Sequence, residues 1–127
     1  QFYFLETSSR VGGAHIAEMV EASSNVNMWR EWAKLEVAVA RGEKYQLPKV
    51  RKDYAGIIVS LTRQEWPDDS QFNDPEIAWR MTGMDHHIGL IVQSPKRERV
   101  IELLDDYALR IQRDYHASAP APTKPSN

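Results

Sequence analysis

Glu6, Ser8 and Arg10 stand two residues apart, directly after the apolar run Phe2-Tyr3-Phe4-Leu5. That run has strand character, and in an extended backbone residues at i, i+2 and i+4 share one face. A carboxylate, a hydroxyl and a fixed cation would therefore line a single wall. Such a wall suits a magnesium–phosphate site. Mg²⁺ is hard and octahedral, and it takes one or two carboxylates while leaving its other positions to phosphate oxygens and water. Arg10 carries planar donors that match phosphoryl or carboxylate oxygens and keep their charge at any working pH. Gly12 and Gly13 follow, and a helical pattern begins after them. The two glycines would let backbone approach a substrate closely, with N–H groups turned toward an anion at the helix start.

The stretch resembles the last metal-binding strand of the ATP-grasp superfamily, whose ligases activate a carboxylate as an acyl phosphate. Members commonly carry Glu-x-Asn-x-Arg on an apolar strand, and Glu6, Ser8 and Arg10 fall on those three positions. The resemblance implies Mg²⁺ on Glu6 and Ser8, with Arg10 facing the acyl phosphate as the catalytic cation. Ser8 departs from the pattern, which has Asn there. The next residues, Val11-Gly12-Gly13-Ala14-His15-Ile16, are similar to the Arg-x-Gly-Gly-x-His-Ile loop of carboxylate–amine ligases. Gly12, Gly13 and His15 are accordingly the expected substrate-binding residues, and ATP and Mg²⁺ the expected cofactors. Carboxylases of the biotin-carboxylase kind share the strand but place Glu immediately before the His. Here that position is Ala14, which counts against carboxylation.

The chain opens at Gln1 inside this motif, with no signal or targeting pattern. No Gly-x-x-x-x-Gly-Lys-Ser/Thr or Gly-x-Gly-x-x-Gly pattern occurs, and no lysine sits in a phosphate-cradling loop. The expectation is the C-terminal part of a longer ligase, inactive alone, whose partner is an upstream nucleotide-binding lobe of the same enzyme. Its substrates would be a small carboxylate and an amine or other nucleophile, and a homodimer is left open. A non-catalytic binding or assembly module is the reading from another class. Upstream sequence discriminates: a glycine-rich flap with phosphate-facing lysines belongs to the enzyme and not to the module.

Composition narrows the classes. At 127 residues the chain can bury a core, and a net charge of −2 gives no argument for nucleic acid or an anionic membrane. The absence of Cys removes disulfides, thiolate metal sites and cysteine nucleophiles. No apolar stretch approaches the roughly 20 residues of a membrane span. A cytoplasmic location is the default expectation.

The elements that must position the wall read as α+β. Residues 14–22 suggest a short helix with Ile16, Met19 and Val20 on one face. Asn25 or Asn27 caps a second helix through Trp29, Trp32, Ala33, Val37 and Ala40 to Arg41, with Gly42 at its left-handed C-cap. Leu35 and Val39 widen its apolar surface, which implies burial on more than one side and a packing role for Trp29 and Trp32. Residues 54–62 and 87–92 read as strands, and residues 77–81 form a hairpin with the latter across Thr82-Gly83-Met84-Asp85. Residues 65–75 read as an exposed acidic loop. Ser94 and Pro95 open a last helix whose buried stripe is Val100, Leu104, Ala108, Ile111 and Tyr115.

The expected architecture is thus a C-terminal part of an ATP-grasp fold: strand, loop and two helices, then a small antiparallel sheet covered by a helix. Residues 1–47 would belong to the ATP-grasp lobe, 48–117 to a terminal α+β subdomain, and 118–127 to a disordered tail, since the Ala-Pro-Ala-Pro run buries little. His86 and His87, as strand neighbours, would point to opposite faces and hold no metal. Arg97, Arg99, Arg110 and Arg113 interleave with acidic residues, as on a solvated helix face.

Overall fold

A computed structural model describes residues 11–117. The apolar run, Glu6, Ser8 and Arg10 lie outside the described residues, as does the expected tail, 118–127. Chain order is α1 (Ile16–Ser24), α2 (Met28–Arg41), β1 (Tyr54–Leu61), β2 (Ile77–Arg80), β3 (His87–Ser94) and α3 (Arg97–Asp114). The sheet is antiparallel with order β1-β3-β2. This is the expected α+β class.

The composition of β3 explains its central place. Ile88, Leu90, Ile91 and Val92 are all buried, so the strand is covered on both faces. Even-numbered Ile88, Leu90 and Val92 join Val100, Leu103, Tyr107 and Ile111 of α3 in one cluster. Odd-numbered Ile91 turns the other way, toward the layer formed by α1, which packs on β1 and β3. α3 lies very close over β1. A Cβ on Gly56 would meet the Leu104 side chain, with Val100 Cγ1 3.1 Å away. A β-bulge falls between Ile77 and Trp79. Ile77 stands opposite Val92 and joins the α3 cluster, whereas Trp79 stands opposite Ile91. The extra residue thereby turns Trp79 to the α1 face.

α1 sits two residues later than its sequence pattern suggests, while α2 starts at the later of its two candidate caps and ends at Arg41 as expected. Ala14 and His15 take left-handed φ of 52° and 63°, which delays α1 to Ile16. Ser23 and Ser24 end it by donating their hydroxyls back to the Val20 carbonyl. Asn25 then forms the left-handed C-cap of α1, and Asn27 caps α2 by accepting from the Arg30 N–H at 2.8 Å. Gly42 closes α2 at φ 67°.

Three packing expectations are corrected. Trp29 is 51 % exposed and Trp32 43 %, and Leu35, Val37 and Val39 are exposed too. The reason is that α1 and α3 already cover the two faces of the sheet, so α2 contacts no named element except α1. α3 begins at Arg97 after Lys96, while Ser94 ends β3 and accepts from the Lys96 N–H at 3.2 Å. Its buried stripe is Val100, Leu103, Tyr107, Ile111 and then Tyr115, with Leu104 half-buried and Ala108 exposed. The loop before β2 is not simply exposed either. Phe72 is wholly buried, edge-on to Tyr107 at 4.9 Å between ring centres.

Candidate functional site

The part of the expected site that is described is the loop 11–15. Val11 is buried and anchors its start, and Ala17 is buried as the second residue of α1. Between them the Ile16 N–H bonds the Gly13 carbonyl at 3.1 Å, closing a tight turn. Gly12 is half-buried and Gly13 exposed, and a Cβ on Gly12 would come within 3.1 Å of Ile16 Cγ2. Ala14 and His15 hold a left-handed backbone that residues with a Cβ adopt at a cost. His15 caps α1 without a side-chain hydrogen bond. Its ring instead stacks on Trp79 at 4.4 Å with a 36° tilt, and Nδ1 lies 3.8 Å from the Glu18 carboxylate. The bulge that turns Trp79 to this face is what gives His15 a partner. The loop is thus held at both ends, leaving Gly13 and Ala14 on the surface.

Sequence reasoning missed a polar cluster on the other face. Tyr107 is fully buried, and its hydroxyl donates to Asp74 Oδ2 at 2.7 Å. Burial, and then the Asp74 carboxylate, push the phenol well above its ordinary range. Arg99 spans Asp74 at 3.1 Å, Glu76 at 2.9 Å and Glu102 at 3.2 Å. Hydrogen bonding to Arg99 holds Glu76 below its ordinary value, and Glu76 in turn raises Arg99. Only the i, i+3 pair of Arg99 with Glu102 was readable from spacing. This cluster ties the loop before β2 to α3, and its donors are spent on one another. Arg110 is likewise no solvated cation, since it lies 4.4 Å over the Phe72 ring and donates to the Gln71 carbonyl.

Glu76 yields a pH expectation. Its folded-state value is depressed, so its pairing adds stability above the ordinary 4.5 and loses it as pH falls through the folded value. Glu31 shifts the same way, first through Lys34 and then through Tyr45. Melting temperature should therefore hold from neutral pH to about pH 5 and fall as the pH is taken below 4.5. Arg99→Gln should lower it at neutral pH and make the acid loss shallower. Parallel curves for the two proteins would remove the Arg99–Glu76 pair from the account.

His86 precedes β3 in a turn at φ 55°, with Nδ1 3.4 Å from the Thr62 carbonyl, while His87 opens the strand with Nδ1 2.7 Å from the Asp85 carbonyl. Among the described residues no group of three or more His, Asp or Glu is placed to hold a metal ion. An open depression of about 270 Å³ runs past Trp66, Arg80, Met84 and His87. Arg80 is already paired there, with Asp69 at 3.0 Å and with the Phe72 carbonyl. No family model, curated protein or solved structure matches this chain. No described helix is long and apolar enough to cross a membrane.

Proposed function

We propose that this chain supplies the metal-binding strand and substrate loop of an ATP-dependent ligase of the ATP-grasp type, joining a carboxylate to an amine or other nucleophile. The observation that carries the reading is the spacing of Glu6, Ser8 and Arg10, followed at once by the Gly12-Gly13 turn into a helix. The donor chemistry fits the implied ion: one carboxylate and one neutral oxygen leave Mg²⁺ room for nucleotide phosphates. Magnesium-bound ATP, when present, supplies the phosphoryl group that activates the carboxylate. Glu6 would hold the ion, with Ser8 as a weaker second contact. Arg10 would neutralise the charge that spreads over the transferring group, and Gly13 would bring backbone N–H groups to the substrate. His15, stacked on Trp79, would fix the far end of that loop. In this proposal the nucleotide-cradling lobe is a separate part of the same cytoplasmic enzyme, and residues 1–127 alone do not turn over ATP.

The test is ADP release by the protein that carries this chain, measured against pools of carboxylic acids and amines. Arg10→Lys keeps the charge and loses the two-pronged geometry. It should lower kcat by roughly tenfold, equivalent to about 1.4 kcal/mol, with little change in KM for ATP. An unchanged kcat would place Arg10 on a solvated face. The exposed Trp29 and Trp32 favour a second reading, an assembly module, under which no substrate pair releases ADP.

A further inference from the structure

α2 packs with its charged side inward. At about 3.6 residues per turn, Met28, Trp29, Trp32, Leu35 and Val39 fall within one arc of the helix, and all five are exposed. What the helix buries is a carboxylate, Glu31, together with Ala38 on the same stripe. Glu31 is well served there, accepting from the Tyr45 hydroxyl at 2.9 Å and from Lys34 Nζ at 2.9 Å. The chain beyond Gly42 therefore returns beside the helix. The return ends where the Arg51 N–H bonds the Ser24 carbonyl at 2.8 Å and the Asp53 N–H bonds the Ser23 carbonyl at 3.1 Å. These bonds set the roll of α2, and the roll that satisfies Glu31 is the one that holds both tryptophans out. Their rings lie 5.9 Å apart.

The overall charge of −2 conceals an asymmetry. Between Met28 and Lys52 stand seven Lys or Arg and three Glu, a net of +4, which leaves −6 for the remainder of the chain. Arg30, Lys34 and Arg41 share one stripe of α2 beside the apolar arc. Lys44, Lys49 and Lys52 are exposed along the returning segment, and Leu47, 83 % exposed, and Val50 stand among them. Exposed tryptophan, exposed aliphatic side chains and a positive rim thus coincide in one stretch. We propose that residues 28–52 form a surface that seats on an anionic lipid bilayer.

Each part of the surface suits that partner. A helix with an apolar arc and a cationic flank lies in the plane of the interface, and tryptophan rings settle at headgroup level. With 14 residues α2 is too short to cross a bilayer and would lie along it. Lysines near an anionic leaflet add attraction that salt screens. A single-stranded nucleic acid would use the two rings and the cations, but it gains little from Met28, Leu35, Val39 and Leu47, which stack on no base. Protein interfaces are depleted in lysine, whereas Lys34, Lys44, Lys49 and Lys52 border this one.

Vesicle co-sedimentation of the 127-residue chain tests this, with Trp emission read alongside. The chain should sediment with vesicles of equal parts phosphatidylcholine and phosphatidylserine, and not with phosphatidylcholine alone. Its emission should shift to the blue and be quenched by brominated acyl chains, and both changes should be absent from Trp29→Phe/Trp32→Phe. Lys44→Gln/Lys49→Gln/Lys52→Gln should weaken the partition about a hundredfold. Trp29→Ser/Trp32→Ser should weaken it at least roughly tenfold. All five side chains are exposed, so both variants should keep the melting temperature of the unaltered chain. The lysine variant decides alone if the tryptophan variant does not.

No sedimentation with the mixed vesicles would overturn the proposal, as would equal binding to the two compositions. Partition that survives the loss of the three lysines would do the same. Trp29 and Trp32 already shielded from acrylamide without vesicles would show that a second copy or another part of the chain covers the face. Single-stranded RNA bound in place of the mixed vesicles would assign the surface to nucleic acid, and either result overturns the lipid reading.

Discussion

In the proposed ligase, Glu6→Gln should abolish ADP release while leaving the melting temperature unchanged. The amide keeps the size and one oxygen but loses the negative charge. Mg²⁺ is bound by carboxylates and phosphates, and in the proposed site Glu6 would be the one charged ligand beside the Ser8 hydroxyl. Without it the ion would rest on phosphate oxygens and water alone, and positioning is most of what a phosphoryl-transfer site contributes. Removing one preorganised group at such a centre costs about 2.7–4 kcal/mol, or roughly a hundredfold to a thousandfold in rate. A solvated face would behave otherwise, and Glu6→Gln would be silent there. Activity near that of the unaltered enzyme, with nucleotide saturating, would sink the assignment of Glu6 to the metal.

The largest expected effect on stability is at Phe72. Phe72→Ala should cost about 3–5 kcal/mol, read as a shift of the urea midpoint. The ring has no exposed surface, meets Tyr107 edge-on and lies 6.1 Å from the Tyr115 ring. The Arg110 guanidinium covers it at 4.4 Å, and Arg80 binds the Phe72 carbonyl. Truncation would empty a site whose walls belong to α3, which cannot collapse without moving the cluster on β3. Against a typical domain stability of about 5–15 kcal/mol this is a large share. A loss below about 1 kcal/mol would show that the loop before β2 repacks freely.

What could be read from the sequence divides along physical lines. β1, the β2–β3 hairpin and the caps at Asn27 and Gly42 were legible, because β-branched runs, turn residues and cap residues act locally. Burial was less so. Trp29 and Trp32 carry a core-like pattern, yet a pattern cannot say whether a partner surface exists, and the sheet has no face left for α2. Phe72 stands alone among polar residues, so no period marks it. The α3 stripe runs through Tyr107 and not Ala108 because Asp74, far away in sequence, satisfies the buried hydroxyl. At the candidate site the loop residues were proposed from the motif alone. The stacking of His15 on Trp79 was not, since it depends on a bulge in a strand sixty residues on.

The order of the sheet also governs how the chain reaches it. Among the described residues β3 lies in the middle of the sheet but is the last strand to be made, and β1 pairs with no other strand. The β2–β3 hairpin closes locally, so β1 must be held open until residue 94 has left the ribosome. During that interval an uncharged segment, Tyr-Ala-Gly-Ile-Ile-Val-Ser-Leu, is exposed with both edges bare, the condition under which identical chains stack on one another. Slow synthesis therefore lengthens an interval in which this segment is open to stacking, and high expression raises the concentration of chains caught in it.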